Sequence, residues 1–385
     1  MLLIKGSKSD ILIKDGKIVE ISEDIPVTKD MFVCDASGLV VAPGLVDMHV
    51  HFREPGFEYK EDIYTGAAAA AAGGFTTVCC MPNTSPVADN KEIIEMITRK
   101  AALTNIAVLP ITAVTVGQEG ETLTDFAALK KAGAVALSDD GMPIKNKDIM
   151  RKAMIEAEKN DILIISHCEE EEPMVERDVN LAGETGARIH IAHVSTAEAV
   201  ETIRKAKAAG VRVTAEVTPH HFSLTDDIIA EKGTNAKMSP PLRKQKDVDA
   251  IIEGLEDGTI DAIATDHAPH SAEEKALPFR DAPNGIIGLE TSLALTLTHL
   301  YHTKILSISE IIDLMSVRPA EILELKAGLL KKGSIADLVI FDPDEKWSVD
   351  PEKFKSKARN TPFGGMELIG RAKYTISRGK IVYKG

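Results

Sequence analysis

The chain has 385 residues, of which 44% are hydrophobic and 27% are charged, and its formal net charge is −14. This composition is that of a folded globular protein rather than a disordered one. The negative charge disfavours nucleic acid as a partner, and there is no run of about 18 apolar residues that would span a membrane.

The N-terminus and the cysteines predict a cytoplasmic protein. The first residues, MLLIKGSKSDILIKDG, lack the long apolar core and the small-residue cleavage site of a signal peptide. The four cysteines include the adjacent pair Cys79 and Cys80 and do not suggest a disulfide framework.

Both ends of the chain are typical of short strands joined by tight turns. Near the start, ILIKDGKIVEIS places two strands around an Asp-Gly turn. Near the end, SIADLVIFDP and YTISRGKIVYKG follow a similar pattern, the second with a Gly-containing turn. We therefore predict one small β domain that is assembled from residues 1–43 and 333–385.

Residues 44–332 alternate between strand-like and helix-like runs. The eight predicted strands are GLVDMHVH, FTTVCCMPN, IAVLPITAV, AVALSDDG, ILIISHCEE, RIHIAHVS, VRVTAEVTPHH and DAIATDHAPH. Most of the runs between them carry apolar residues at helical spacing and stop at Gly or Asn. This pattern predicts an α/β fold, a parallel (β/α)₈ barrel of the TIM type with an outer ring of helices.

Histidines collect where the predicted barrel strands end. Active sites of such barrels lie at the C-terminal ends of the strands, which form one rim. Eight of the eleven histidines fall at or near these ends, namely His49, His51, His167, His193, His220, His221, His267 and His270. The sequence therefore predicts that the rim carries the chemistry.

His49 and His51 point to the same side of the first strand, because side chains alternate along a strand. Two imidazoles so placed can bind one metal ion, most commonly Zn²⁺. The alternative is a pair of half-buried structural histidines. Arg53 follows in HFREPG and is suited to bind a carboxylate substrate.

Further candidate ligands close later strands. Asp140 in SDDG can bridge two cations, with Asp139 as the alternative occupant of that position. His167 and His193 can complete a second site, although each alone is more often structural. Asp266 can hold a metal and also shuttle a proton.

The remaining rim histidines divide into two groups. His270 lies on a loop beyond the eighth strand and is placed to reach a substrate. For His220, His221 and His267 we favour supporting or capping roles instead of ligation.

These motifs resemble those of class I dihydroorotase, in the amidohydrolase superfamily. The matching segments are APGLVDMHVHFREPG, GGFTTVCCMPNT, LSDDG, SHCEE, IAHVSTAEAV, VTAEVTPHH, ATDHAPH, GIIGLETSLAL and ARNTPFGG, and they span most of the chain. The resemblance implies two zinc ions per subunit that share a bridging hydroxide. The implied ligands are His49, His51 and Asp266 for one zinc, His167 and His193 for the other, and Asp140 as the bridge.

The resemblance also implies which residues contact substrate. Arg53 and Asn83 would grip a carboxylate, joined by His270, His51 and backbone groups at Asn284 and Gly285. Ser239 occupies a position where family members often have Asn, so a shorter side chain would have to contact the substrate there.

The stretch between His167 and His193 is much shorter than in bacterial family members. From this shortness we expect that a helix has been lost, together with surface for contacts between subunits.

The implied reaction is the reversible cyclisation of N-carbamoyl-L-aspartate to (S)-dihydroorotate in pyrimidine (UMP) synthesis, with Asp266 as the proton carrier. One alternative is another cyclic amidohydrolase, such as a hydantoinase or allantoinase. A second alternative is a non-catalytic partner of aspartate transcarbamoylase. The resemblance leaves open whether the chain forms a homodimer and whether it associates with that enzyme.

Overall fold

The structure is a computed structural model that describes all residues, 1–385. The chain begins with a small β-sheet. The N-terminal strands are β1 (Leu2–Lys5), β2 (Asp10–Lys14), β3 (Lys17–Ser22), β4 (Phe32–Asp35) and β5 (Val40–Pro43). The first four form a sheet in the order β3-β2-β1-β4. Asp15 and Gly16 both have positive φ between β2 and β3, as the predicted Asp-Gly hairpin requires.

Eight parallel strands form the barrel. They are β6 (Leu45–Val50), β7 (Phe75–Cys80), β8 (Ala107–Thr112), β9 (Ala136–Leu137), β10 (Leu163–Ser166), β11 (Ile189–Ile191), β12 (Val213–Val217) and β13 (Ala262–Ile263). Neighbours in the chain are neighbours in the sheet. A parallel bridge between Val50 and His267 joins the last strand to the first. The predicted barrel is confirmed, with all eight strands where the apolar runs placed them.

Helices surround the barrel. In chain order they are α1 (Ile63–Ala72), α2 (Lys91–Ala101), α3 (Phe126–Ala132), α4 (Lys147–Lys159), α5 (Glu171–Thr185), α6 (Ala197–Ala208), α7 (Pro219–Ser223), α8 (Ile229–Lys232), α9 (Gln245–Glu256), α10 (Ala272–Lys275), α11 (Ser292–Thr296), α12 (Ile308–Ile312) and α13 (Arg318–Ile322). Two π-helical turns, Leu297–Tyr301 and Asp313–Val317, extend α11 and join α12 to α13. Short 3₁₀ turns occur at Val116–Gln118, Asp226–Ile228, Gly233–Ala236 and Pro351–Lys353. None of the helices combines the length and the apolar character that crossing a membrane requires.

The prediction that a helix is missing between the fifth and sixth barrel strands was wrong. That connection contains α5, which has 15 residues and is the longest helix. The run of four glutamates at its start hid the apolar spacing of Met174, Val175 and Val179, which are buried. Glu171 itself is buried and accepts hydrogen bonds from the backbone N–H groups of Ser195 (2.7 Å) and Thr196 (2.9 Å). The short connection therefore keeps its helix and has only four residues between strand and helix.

The C-terminal strands complete the small β domain. They are β14 (Leu338–Ser348), β15 (Glu367–Ser377) and β16 (Lys380–Lys384), and with β5 they form an antiparallel sheet in the order β16-β15-β14-β5. Buried residues of this sheet, including Leu338 and Ile376, share one hydrophobic cluster with Leu2 and Ile11 of the N-terminal sheet. The prediction of one β domain built from both ends is confirmed.

Two further hydrophobic clusters make the barrel rigid. One of 64 buried residues joins the strands to the surrounding helices. Another of 11 buried residues includes Met48, Ile111, Leu163 and Ala262 from the barrel strands. Because interiors pack as densely as organic crystals, these strands form a well-packed frame from which the loops at their ends extend.

Leu338→Ala should destabilise the domain that both termini share. Leu338 is completely buried, and truncation of such a side chain costs about 2–5 kcal/mol of unfolding free energy. Urea unfolding followed by circular dichroism measures the effect. Leu103→Ala is the matched control, since Leu103 is 73% exposed; equal loss in both variants would contradict the described packing.

Candidate metal centre and substrate cavity

The six implied metal ligands lie on five strand ends of one rim. His49 is in β6 and His51 follows it; Asp140, His167, His193 and Asp266 come one to three residues after β9, β10, β11 and β13. His193 and Asp266 have positive φ, 35° and 47°. Such left-handed backbone is costly for residues other than glycine and clusters at functional sites. Here it turns the chain where each strand ends.

The first group of side chains is close enough to share one cation. His51 Nε2 lies 3.0 Å from Asp266 Oδ1, and His49 Nε2 lies 3.6 Å from the same oxygen. His49 Nε2 is also 3.4 Å from Asp140 Oδ1. Two imidazole nitrogens and two carboxylates therefore surround one point.

The second group meets the first at Asp140. His167 Nδ1 lies 2.8 Å from His193 Nε2. Asp140 Oδ1 is 3.4 Å from the former nitrogen and 3.8 Å from the latter. The candidate ligand atoms of His49, His51 and Asp140 lie within 4.8 Å of one another, as do those of Asp140, His167 and His193, so Asp140 belongs to both sets.

Unsatisfied polar atoms at this point fit a bound metal. Both His49 Nε2 and Asp140 Oδ1 are buried without a hydrogen-bond partner, an arrangement that is expensive unless something compensates it. Burial opposes the charged form of Asp140, but His49, His167 and His193 bring the pKa of its carboxyl well below the ordinary value. An anionic oxygen and several imidazole nitrogens form a donor set that Zn²⁺ accepts.

Asp139 and Asp140 have different partners. Asp139 turns away from the histidines and accepts hydrogen bonds from the backbone N–H groups of Val114 (2.8 Å) and Thr115 (3.2 Å). Only Asp140 faces the imidazoles, so the structure favours it over Asp139 as the bridging candidate.

Three other rim histidines lie outside this cluster. His221 Nε2 donates to the carbonyl of Pro240 (3.1 Å), and His267 Nδ1 accepts from the backbone N–H of Gly288 (3.2 Å). His220 is buried in α7 with an unpartnered Nε2, and burial lowers its pKa to about 4. The contacts of His221 and His267 agree with the supporting roles that we favoured.

Glu216 is a site residue that the sequence analysis missed. It is completely buried in β12, and its carboxylate accepts hydrogen bonds from His49 Nδ1 (2.6 Å) and His190 Nε2 (3.2 Å). His49 and His190 lower the pKa of Glu216 to about 2 against the opposing effect of burial. A lone glutamate inside the apolar run VRVTAEV was the available signal, since an unpaired buried carboxylate would be costly.

The implied substrate contacts line a cavity of about 270 Å³ beside the ligand cluster. Seven of them border it, namely His51, Arg53, Asn83, Ser239, His270, Asn284 and Gly285. Glu169, Gly141 and Ala268 also line it and were not anticipated. The cavity is polar, which suits a small charged molecule.

Arg53 gives the cavity a cationic end. Burial lowers the pKa of Arg53 to about 10, so its guanidinium is charged at neutral pH. Burial, with Arg53 and Lys60 nearby, lowers the pKa of His270 to about 3, which keeps that imidazole neutral. Arg53 Nε donates to the carbonyl of Pro269 (3.1 Å), and His270 Nε2 lies 2.8 Å from the carbonyl of Asn284.

Asn83 links the two halves of the site. Its Oδ1 is 2.9 Å from His51 Nδ1, and its Nδ2 donates to Asp140 Oδ2 at 3.2 Å. The amide therefore orients one candidate ligand on each side while bordering the cavity.

Comparisons with known proteins agree with this geometry. Residues 38–211 match the sequence model of the family described as Dihydro-orotase-like. The dihydroorotase of Geotalea daltonii is 50% identical, covering 97% of this chain and 95% of its own length. That of Clostridioides difficile is 48% identical with the same coverage. Among solved structures, L-hydantoinase from Arthrobacter aurescens superimposes with a TM-score of 0.90 at 27% identity, covering 100% of this chain and 96% of its own.

A barrel with histidines and aspartates at its C-terminal rim, close in structure to a hydantoinase, defines a cyclic amidohydrolase. The high identity over nearly the whole chain narrows the class further. The chain belongs to the dihydroorotase family.

Glu216→Gln should weaken metal binding. The carboxylate holds the Nδ1–H of His49 and thereby leaves Nε2 free to ligate; loss of such a partner typically lowers metal affinity about 10- to 100-fold. Competition of the protein with a chelating dye for Zn²⁺ measures the change. Asp10→Asn is the control, a buried carboxylate in the small β domain. Unchanged zinc affinity in Glu216→Gln would contradict the assignment.

Proposed function

We propose that this protein catalyses the reversible cyclisation of N-carbamoyl-L-aspartate to (S)-dihydroorotate, a step of pyrimidine synthesis. The observation that carries the proposal is a cluster of candidate metal ligands beside a polar cavity that Arg53 also lines. The dihydroorotase relatives at 48–50% identity support the same reaction. A cytoplasmic location is part of the proposal.

Two zinc ions would complete the site. His49, His51 and Asp266 would hold one, His167 and His193 the other, and Asp140 would contact both. When bound, zinc lowers the pKa of water and polarises an amide carbonyl. The substrate is a small molecule, and its reacting amide is proposed to lie against the candidate ligands that line the cavity.

Asp266 is proposed to carry the proton. Burial disfavours its charged form, yet His49 and His51 lower the pKa of its carboxyl below the ordinary value. The ionised oxygen beside His51 can take a proton from the attacking water during hydrolysis. It returns that proton to the ring nitrogen as the carbon–nitrogen bond breaks, and cyclisation follows the same steps in reverse.

Arg53, Asn83 and His270 are proposed to orient the substrate. The half-buried guanidinium attracts the ring carboxylate, and a hydrogen bond between charged groups is stronger than one between neutral groups. Asn83 and the neutral His270 offer polar groups on either side of it. Contacts that hold the ring in one position also orient its reacting amide for attack.

The competing enzyme activities differ in whether the substrate carries a carboxylate that can bind Arg53 at the cationic end of the cavity. Hydantoin carries no carboxylate for Arg53, which argues against it as the preferred substrate although the fold resembles hydantoinases. A non-catalytic partner of aspartate transcarbamoylase would have no need to keep all six candidate ligands. Assays of the purified protein with dihydroorotate, hydantoin and allantoin, with and without chelator, separate the three functions. Turnover of dihydroorotate that the chelator abolishes supports the proposal, and its absence overturns it.

Asp266→Ala should lower kcat about 100- to 10,000-fold, the usual contribution of a positioned acid–base group. Steady-state assays in both directions, with zinc content measured in parallel, test this. Asp261→Asn is the control, because Asp261 pairs with Lys207 outside the cavity. Near-normal turnover in Asp266→Ala would refute its role.

Arg53→Ala should raise KM for dihydroorotate about 10- to 100-fold, since a hydrogen bond to a charged group contributes roughly 1.5–3 kcal/mol. We expect kcat to change less, because the contact is made to substrate and transition state alike. Arg280→Ala is the control, an arginine with its side chain 96% exposed. An unaltered KM for the Arg53 variant would exclude the proposed carboxylate contact.

A further inference from the structure

The motif ARNTPFGG matched the family, but the proposed mechanism gives it no part. It lies outside the barrel, between β14 and β15, yet Asn360 within it is only 4% exposed and reaches the loops that border the cavity. A buried amide must have its hydrogen-bonding groups satisfied. The partners of Asn360 are therefore informative.

All the side-chain hydrogen bonds of Asn360 go to two loops of the cavity. Its Oδ1 accepts from the backbone N–H of His270 (3.1 Å). Its Nδ2 donates to the carbonyls of Ala268 (3.0 Å) and Gly285 (3.1 Å). One amide thus joins the loop that carries His270 to the loop that carries Asn284 and Gly285.

Lys275 holds the same carbonyl from another direction. Its ammonium group is buried and donates to the carbonyls of Gly285 (2.9 Å), Pro283 (3.1 Å) and Lys237 (3.4 Å). Three donors and three acceptors leave this buried cation fully satisfied. Because Lys237 precedes Ser239 by two residues, Lys275 ties a third cavity segment to the Gly285 loop.

Gly285 explains why the loop needs external support. Its φ is +122°, and a Cβ at this position would lie 2.6 Å from Ala268 Cβ and 3.3 Å from His270 Nε2. The backbone must approach His270 closely, and glycine alone allows it. Glycine has no side chain that could fix this backbone segment in place. Asn360 and Lys275 fix it instead, by donating hydrogen bonds to the Gly285 carbonyl.

We propose that Asn360 and Lys275 are positioning residues that clamp the substrate-binding loops through the Gly285 carbonyl. They touch neither the cluster of candidate metal ligands nor the reacting atoms. They set the spacing between His270 and the backbone at residues 284 and 285, and hence the fit of the cavity to its substrate. The expected change in KM rests on the proposed function, whereas the expected effect on the loops does not.

Asn360→Ala and Lys275→Met should each raise KM for dihydroorotate about tenfold or more, because small misplacement of positioning groups is costly. Zinc content should equal that of the unmodified protein, and kcat should change by less than about threefold, since uniform binding is what is lost. The double variant should show less than the product of the single effects, because both side chains act on one carbonyl. Thr361→Ala is the matched control, a buried neighbour whose hydroxyl accepts only a local hydrogen bond from Phe363.

Hydrogen exchange provides a readout independent of activity. The backbone amides of Ala268, His270 and residues 284–287 should exchange faster in Asn360→Ala and Lys275→Met than in Thr361→Ala. Faster exchange without dihydroorotate turnover in the unmodified protein would uphold the clamp while refuting the proposed function. Unchanged KM, unchanged exchange, or a parallel loss of zinc in either clamp variant would overturn the clamp itself.

Discussion

A buried carboxylate that faces several imidazoles is the interaction on which the site depends. Asp140 Oδ1 lies 3.4 Å from a nitrogen of His49 and of His167, and 3.8 Å from one of His193. These side chains come from four different strands, so only a closed barrel brings them together. The charge of Asp140 is sustainable at this depth because its neighbours are basic.

Around this centre the protein separates two tasks. Glu216 and Asn83 bond the outward nitrogens of His49 and His51, which orients these rings toward the cluster. Asn360 and Lys275 bond the loops at the other end of the cavity. The first pair of hydrogen bonds orients the candidate ligands and the second ties the cavity loops, while Asn83 borders the cavity as well.

The sequence predicted the fold well because its signals were local. Alternating strand-like and helix-like runs specified eight strands, and the Asp-Gly turn specified a hairpin at residues 15 and 16. The prediction failed at α5, where four successive glutamates outweighed the buried Met174, Val175 and Val179. Burial of Glu171 against two backbone N–H groups is a tertiary contact that no local pattern indicates.

The part of the site that lies at the strand ends could be predicted, because the C-terminal ends of the barrel strands meet at one rim. The six candidate ligands could be named because each closes a strand, and Asp140 was favoured over Asp139; the hydrogen bond from Thr115 to Asp139 agrees with that preference. Glu216 and Asn360 were missed because their partners are distant in sequence, and Lys275 because its partners are backbone carbonyls of irregular loops. Asn360, for example, bonds a residue 90 positions away. Long-range hydrogen bonds of this kind leave no periodicity to recognise.

The most direct test of the central claim is diffraction from zinc-loaded crystals at the zinc absorption edge. We predict two anomalous peaks on the barrel rim, one among His49, His51 and Asp266 and one between His167 and His193, with Asp140 touching both. A single peak elsewhere, or none at these side chains, would contradict the account.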